Sequence, residues 1–96
     1  MKSARYDVRL AQDAAGQFSA LSEVDRNTVL EGLHALKRAA TPAETIDVVR
    51  LRDRSLEQPL YYRPTGPFGL FFVVGDTVVR VLAIERRPVL RAESRR

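Results

Sequence analysis

The side chains with the greatest capacity for chemistry in this 96-residue sequence are its arginines. Arg50, Arg52 and Arg54 alternate along one segment, a spacing that projects them from one face of a strand as a row suited to backbone phosphates. Arg63, Arg86 and Arg87 could extend that row. The same row also suits a strand edge that uses charge to resist pairing with another chain. Tyr61 and Tyr62 are adjacent, so on a strand one faces the core and only the other can serve a ligand. The single histidine, His34, lies beside the core position Leu33 and reads as a boundary residue, and there is no cysteine. These counts exclude a two-histidine mechanism, a disulfide framework and a thiolate metal site, and they argue against a zinc site. No metal and no cofactor are expected. The segment PTGPFG, residues 64–69, lacks the following helix that a phosphate-cradling glycine loop requires.

The charge is unevenly placed. Residues 1–49 hold six Lys/Arg against seven Asp/Glu, whereas residues 50–96 hold ten against five, all ten being arginine. A guanidinium presents a planar fork to phosphate or carboxylate, so the basic half points to nucleic acid or to an acidic partner. A solvated basic surface is the plainer alternative. With 45% hydrophobic and 29% charged residues the chain has a globular composition, and its length suits one domain spanning residues 1–96. The N-terminal MKSARYDVRL has no apolar run of the signal-peptide kind, and no stretch approaches the ~20 apolar residues of a membrane span. A cytoplasmic protein without membrane contact is expected.

The elements that must position these groups follow from periodicity. Tyr6, Val8 and Leu10 alternate with polar residues, as in a half-buried strand. Ala14, Phe18 and Leu21 then recur at helical spacing. Ser22-Glu23-Val24-Asp25 reads as a helix start, with the serine oxygen accepting from the Asp25 amide. Val29, Leu33, Leu36 and Ala40 carry that second helix's stripe, Lys37 and Arg38 suit its last turn, and Thr41-Pro42 stops it. Beyond Pro42 the pattern becomes strand-like at residues 46–52, 60–63, 68–74 and 77–84, with a loop at 53–59 and a breaker cluster at 64–67. The fold class is therefore α+β: an N-terminal strand, a two-helix hairpin, then an antiparallel sheet of three to four strands. Residues 85–96 form a basic tail with few anchors, expected to fray at its end.

Gly75-Asp76 between two apolar runs predicts a two-residue hairpin turn with positive φ. In the register that such a turn sets, Val74 pairs with Thr77, Phe71 with Arg80 and Gly69 with Leu82. One face then holds Phe68, Leu70, Phe72, Val79, Val81 and Ala83 and lies against the helices. The other holds Gly69, Phe71, Val73, Val78, Arg80, Leu82 and Ile84. Two helices cannot cover both faces, so the second is expected to meet a partner or substrate, or else the chain's own Val89 and Leu90 folded back.

This order of elements resembles the RelE/ParE toxin superfamily of type II toxin–antitoxin systems. The resemblance runs from Tyr6 to about Arg87 and is carried by YDVRL, LHALKRAATP, VVRLRD, LYYRPTGPFGLFFVV and VVRVLAIERR. It implies a toxin that inhibits translation by ribosome-dependent cleavage of messenger RNA and is neutralised by a cognate antitoxin. The sequence departs from that pattern at Gly69, where members that cut messenger RNA carry an arginine, and at Ile84-Glu85, where a Gly-His or Gly-Lys pair is common. A toxin directed at DNA gyrase, or a non-toxic module binding nucleic acid or antitoxin, are the alternatives.

Cleavage through the substrate's own 2′-hydroxyl needs a proton acceptor, a proton donor and positive charge for the phosphorane. What the chain offers is arginine for charge, Glu85 as the acidic group flanked by the terminal basic cluster, and Tyr61 or Tyr62 to donate a proton or stack a base. Catalytic roles are therefore expected for Arg63, Arg80, Glu85 and Arg86, and RNA contacts from Arg50, Arg52, Arg54, Tyr62 and Arg87. Antitoxin contacts are expected from Phe71, Val73, Leu82 and Ile84. In the register above, Arg80 is the diagonal neighbour of Gly69 and is expected to take the place of the missing arginine.

Overall fold

The computed structural model of the chain describes residues 6–39, 41–45, 47–52 and 57–87. Strand β1 (Asp7–Leu10) leads into helix α1 (Gln12–Ser19) and helix α2 (Glu23–Arg38). The Ser22 side chain accepts from the Asp25 amide at 3.2 Å, satisfying one of the unpaired donors at the start of α2. Lys37 and Arg38 occupy the last turn of α2, where cations suit the helix's negative end. Pro42 cannot continue the helix and instead opens a single 3-10 turn, Pro42–Glu44, in which it is fully buried. Strands β2 (Val49–Leu51), β3 (Leu60–Thr65), β4 (Phe68–Val74) and β5 (Val78–Arg86) follow.

The five strands form one sheet in the order β1-β5-β4-β3-β2. Strands β2 to β5 make an antiparallel meander, as the α+β reading anticipates. Strand β1 joins it parallel to β5, which makes the sheet mixed. Tyr6, Val8 and Leu10 share the face turned to the helices, packed against a core of Ala14, Val29, Leu33, Leu36, Phe68, Leu70, Phe72, Val79, Val81 and Ile84. Gly32 lets α2 close on β3: a Cβ there would stand 2.5 Å from the Thr65 hydroxyl. Beyond the reach of β1, the Ile84 amide donates instead to Gln17 Oε1 on α1 at 2.8 Å.

Two turns differ from expectation. Strand β3 runs through Pro64 and Thr65, so the reversal before β4 takes only Gly66 and Pro67. Gly66 has φ +58, and proline's fixed φ follows it; a turn with positive φ at its first central residue suits strand twist. Pro64 is tolerated because its place in the ladder opposite Gly69 leaves its missing N–H directed away from β4, past the end of β2. At the second reversal, by contrast, neither Gly75 nor Asp76 has positive φ. The chain turns over residues 75–78, with the Gly75 amide donating to Val78 O at 2.8 Å, and Val74 pairs with Val79 rather than Thr77.

The register then shifts again. Phe72 pairs with Val81 and Phe71 with Ala83, which leaves Leu82 as the extra residue of a bulge. The bulge inverts the alternation beyond it, so Ile84 pairs with buried Leu70 and Ala83 faces outward with Phe71. The expected assignment of Ala83 to the core face and Ile84 to the outer face is thus reversed.

Candidate functional site

The face of the sheet away from the helices carries Tyr62 on β3, Phe71 and Val73 on β4, and Glu85 at the end of β5. Tyr61 stacks on core Phe72 with ring centroids 5.7 Å apart, so Tyr62 is the tyrosine turned outward. Its ring lies 4.9 Å from that of Phe71 at an interplanar angle of 58°. Gly69 makes this placement possible, because a Cβ at that position would collide with the Tyr62 ring. Gly69 also pairs with Glu85, which brings the phenol end of Tyr62 toward the end of β5.

Around these residues lies an open groove of about 350 Å³ lined by Leu51, Tyr62, Phe71, Glu85, Arg86 and Arg87. Arg87 closes it against the β3–β4 turn, its amide donating to Pro67 O at 2.7 Å and its guanidinium to Gly66 O at 3.0 Å. Arg86 borders the groove, but its guanidinium lies 4.7 Å from the Phe68 ring centroid and 3.4 Å from an Asp25 carboxylate oxygen on α2. Its charge is therefore shared with the helix side. Among the described residues Glu85 is exposed and makes no ion pair. The groove thus combines aromatic surface, one free carboxylate and arginine charge: a stacking platform, a proton acceptor and an anion contact.

Several residues singled out from the sequence lie elsewhere. Arg63 pairs with buried Leu70 on the helix-facing side and donates to the Thr45 hydroxyl at 3.3 Å, so it does not join Glu85. Arg50 pairs with Tyr61 and by register shares that same helix-facing side, Arg52 follows the end of β2, and Arg54 lies outside the described residues. Arg50 and the outward Tyr62 therefore belong to opposite faces. Arg80 pairs with Val73 and Arg9, whereas Gly69 pairs with Glu85, so Arg80 cannot supply the charge missing at Gly69. That space is filled by Tyr62. Ile84, expected among the antitoxin contacts, is instead a core residue, 4% exposed, and offers no surface to a partner. Val73 is on the outer side by register but is itself buried, 8% exposed, which leaves the partly buried Phe71 and Leu82 as accessible surface there, Leu82 and Ala83 together standing opposite Phe71. Val89 and Leu90 lie outside the described residues.

Three contributors to the site escaped the reading of the sequence: the Asp25 partner of Arg86, the Gly69–Tyr62 fit and Leu51 in the groove wall. Only the second had a local signal, a glycine inside a strand pattern, which often marks close approach. Among the described residues no group of His, Cys, Asp or Glu could hold a metal ion, and no helix is long and apolar enough to cross a membrane.

No protein-family model matches the sequence, and neither does any curated protein. Solved structures do match. The chain superposes on the archaeal RelE–RelB complex from Pyrococcus horikoshii OT3 with TM-score 0.70 and 22% identity, covering 90% of this chain and 99% of that one. The RelBE2 toxin–antitoxin complex from Mycobacterium tuberculosis matches with TM-score 0.69 and 21% identity over 86% and 99% of the two chains. The YoeB dimer from Staphylococcus aureus matches with TM-score 0.66 and 18% identity over 88% and 100%. The chain has the fold of these RelE and YoeB structures over 86–90% of its length.

Proposed function

We propose that this chain is the toxin of a type II toxin–antitoxin pair and that it cuts messenger RNA on the ribosome through the groove at the end of β5. The observation that carries this reading is the convergence of Tyr62, Glu85 and Arg87 on one groove of the exposed sheet face. In that role the Glu85 carboxylate takes the proton of an RNA 2′-hydroxyl, whose oxygen attacks the adjacent phosphorus. Arg87 stabilises the charge of the phosphorane. The bond to the 5′-oxygen then breaks, that oxygen takes a proton from the Tyr62 hydroxyl, and a 2′,3′-cyclic phosphate is left. Arg86 adds positive potential at the groove's edge while Asp25 holds its side chain.

The partner proposed for the rest of the face is an antitoxin. Phe71 and Leu82 offer half-buried apolar surface next to arginine, which suits a segment that is both apolar and acidic and orders on binding. The matched M. tuberculosis structure is itself a toxin–antitoxin complex, and the matched P. horikoshii structure is a RelE–RelB complex.

A second reading, a toxin without nuclease chemistry directed at DNA gyrase, draws on Gly69, where no guanidinium projects and a tyrosine ring occupies the space. Expression of the chain alone separates the readings. Growth arrest with cleaved messenger RNA supports the nuclease, and its loss in Glu85→Gln and Arg87→Ala would tie it to the groove. Arrest with DNA damage and intact messenger RNA supports the second reading. Absence of arrest leaves a binding module and defeats both.

A further inference from the structure

The parallel docking of β1 beside β5 places Arg9 and Arg80 directly opposite one another on adjacent strands. Both are exposed. Like charges in that relation repel, and a sheet keeps such a pair at a cost in stability. Among the described residues one carboxylate meets the pair: Asp7 accepts from Arg9 Nε at 2.9 Å. Among the described residues Arg80 has no acidic partner. It borders instead a hollow of about 210 Å³ lined by Gln58, Val73, Gly75 and Val78.

Arg80 pairs with Val73, which lies two residues along β4 from Phe71, so the arginine pair shares the outer face with the groove. From residue 80 to residue 87 along β5, allowing for the bulge, is roughly 20 Å at strand rise. One face therefore carries Arg87 at one end, the Tyr62 and Phe71 rings between, and Arg80 with Arg9 at the other. Cationic groups separated by aromatic rings match the alternation of phosphates and bases in a single strand, and the span accommodates the shortest sites of about 4 nucleotides seen on comparable sheet surfaces.

We infer that Arg80 and Arg9 form a second phosphate subsite, and that a single strand of RNA crosses the outer face from the groove to reach it. The inference rests on the RNA reading of the groove and extends it to a part of the sheet that performs no cleavage. A phosphate between the two guanidinium groups removes their mutual repulsion and supplies Arg80 with the anion it lacks. A bidentate fork suits that role better than an ammonium does.

The test uses the full chain and two 2′-O-methyl oligoribonucleotides, which the groove cannot cut, of three and eight nucleotides, titrated at several salt concentrations. The wild-type chain should bind the longer oligomer more tightly. Arg80→Ala, shown folded by circular dichroism, should weaken the eight-nucleotide complex and lower the magnitude of its salt slope by roughly 0.7 for each phosphate no longer neutralised, leaving the three-nucleotide complex unchanged. Arg80→Lys should retain most of the slope and only part of the affinity. An unchanged slope in Arg80→Ala, or an equal weakening of both complexes, overturns the subsite while the groove reading stands. Failure of the wild-type chain to bind either oligomer overturns the groove reading and the subsite with it. Arg80-dependent binding of a glutamate-rich peptide, with no Arg80 effect on the RNA, assigns the pair to a protein partner and also overturns the inference.

Discussion

Tyr62 reaches its place because Gly69 has no side chain. The ring occupies the volume of an absent Cβ, so its position depends on a neighbour on another strand as much as on its own rotamer. Gly69→Ala should therefore destabilise the chain by about 1–3 kcal/mol, the usual cost of overpacking, and displace Tyr62 from the groove. Tyr62→Ala in the same chain should recover most of that stability. Urea unfolding of the single and double variants measures the coupling, and strict additivity would show that the two residues do not interact. The bulge at Leu82 yields a second contrast between neighbours. Ile84→Ala should cost about 2–5 kcal/mol as a core truncation, while Phe71→Ala, partly buried on the outer face, should cost less and weaken binding of the proposed antitoxin. An equally tight complex with Phe71→Ala would remove that residue from the proposed interface.

Helix α1 does more than cover the sheet. Its Gln17 side chain satisfies the Ile84 amide just past the bulge, where β1 no longer reaches β5. An unpaired, partly buried amide costs roughly 1–3 kcal/mol, so Gln17→Leu should lower stability by about that amount and speed hydrogen exchange at the Ile84 amide. Unaltered exchange there would mean that the amide is protected by other means. Because Glu85 and Arg87 follow closely after Ile84, the same substitution should loosen the groove. Helix α2 acts on the groove from its own N-terminus, since the Ser22 cap starts the helix where Asp25 can reach Arg86.

Among the described residues the helices cover one face of the sheet and not the other, and charge is placed accordingly. Arg87, Arg80 and Arg9 belong to the outer face, whereas Arg50 shares the helix-facing side with Tyr61. If the proposed RNA binding lies on the outer face, substituting Arg50 and Arg52 together by alanine should reduce RNA affinity less than Arg87→Ala does. Binding measured across a salt series decides this, since each phosphate released from an arginine flattens the dependence by a similar increment. A larger effect from the Arg50/Arg52 pair would place the RNA on the β2 edge instead.

Local signals in the chain carried much of this. The serine cap of α2, the stop at Pro42, the order of strands and helices, the inward stripe of Tyr6, Val8 and Leu10 and the division of labour between Tyr61 and Tyr62 all follow from spacing over a few residues. Such features depend on short-range sterics and hydrogen bonds, which the sequence specifies directly. The register of β4 against β5 was not legible in the same way. FGLFFVV is apolar on both faces, so alternation carries no phase information there, and the turn at Gly75-Asp76 could set the register by itself only if it took two residues. Closing over residues 75–78 and adding a bulge at Leu82 moved Arg80 away from Gly69 and turned Ile84 inward. The pairing of Arg9 with Arg80 likewise had no local signal, because it arises from two segments about seventy residues apart meeting as parallel neighbours, an arrangement that tertiary packing alone decides.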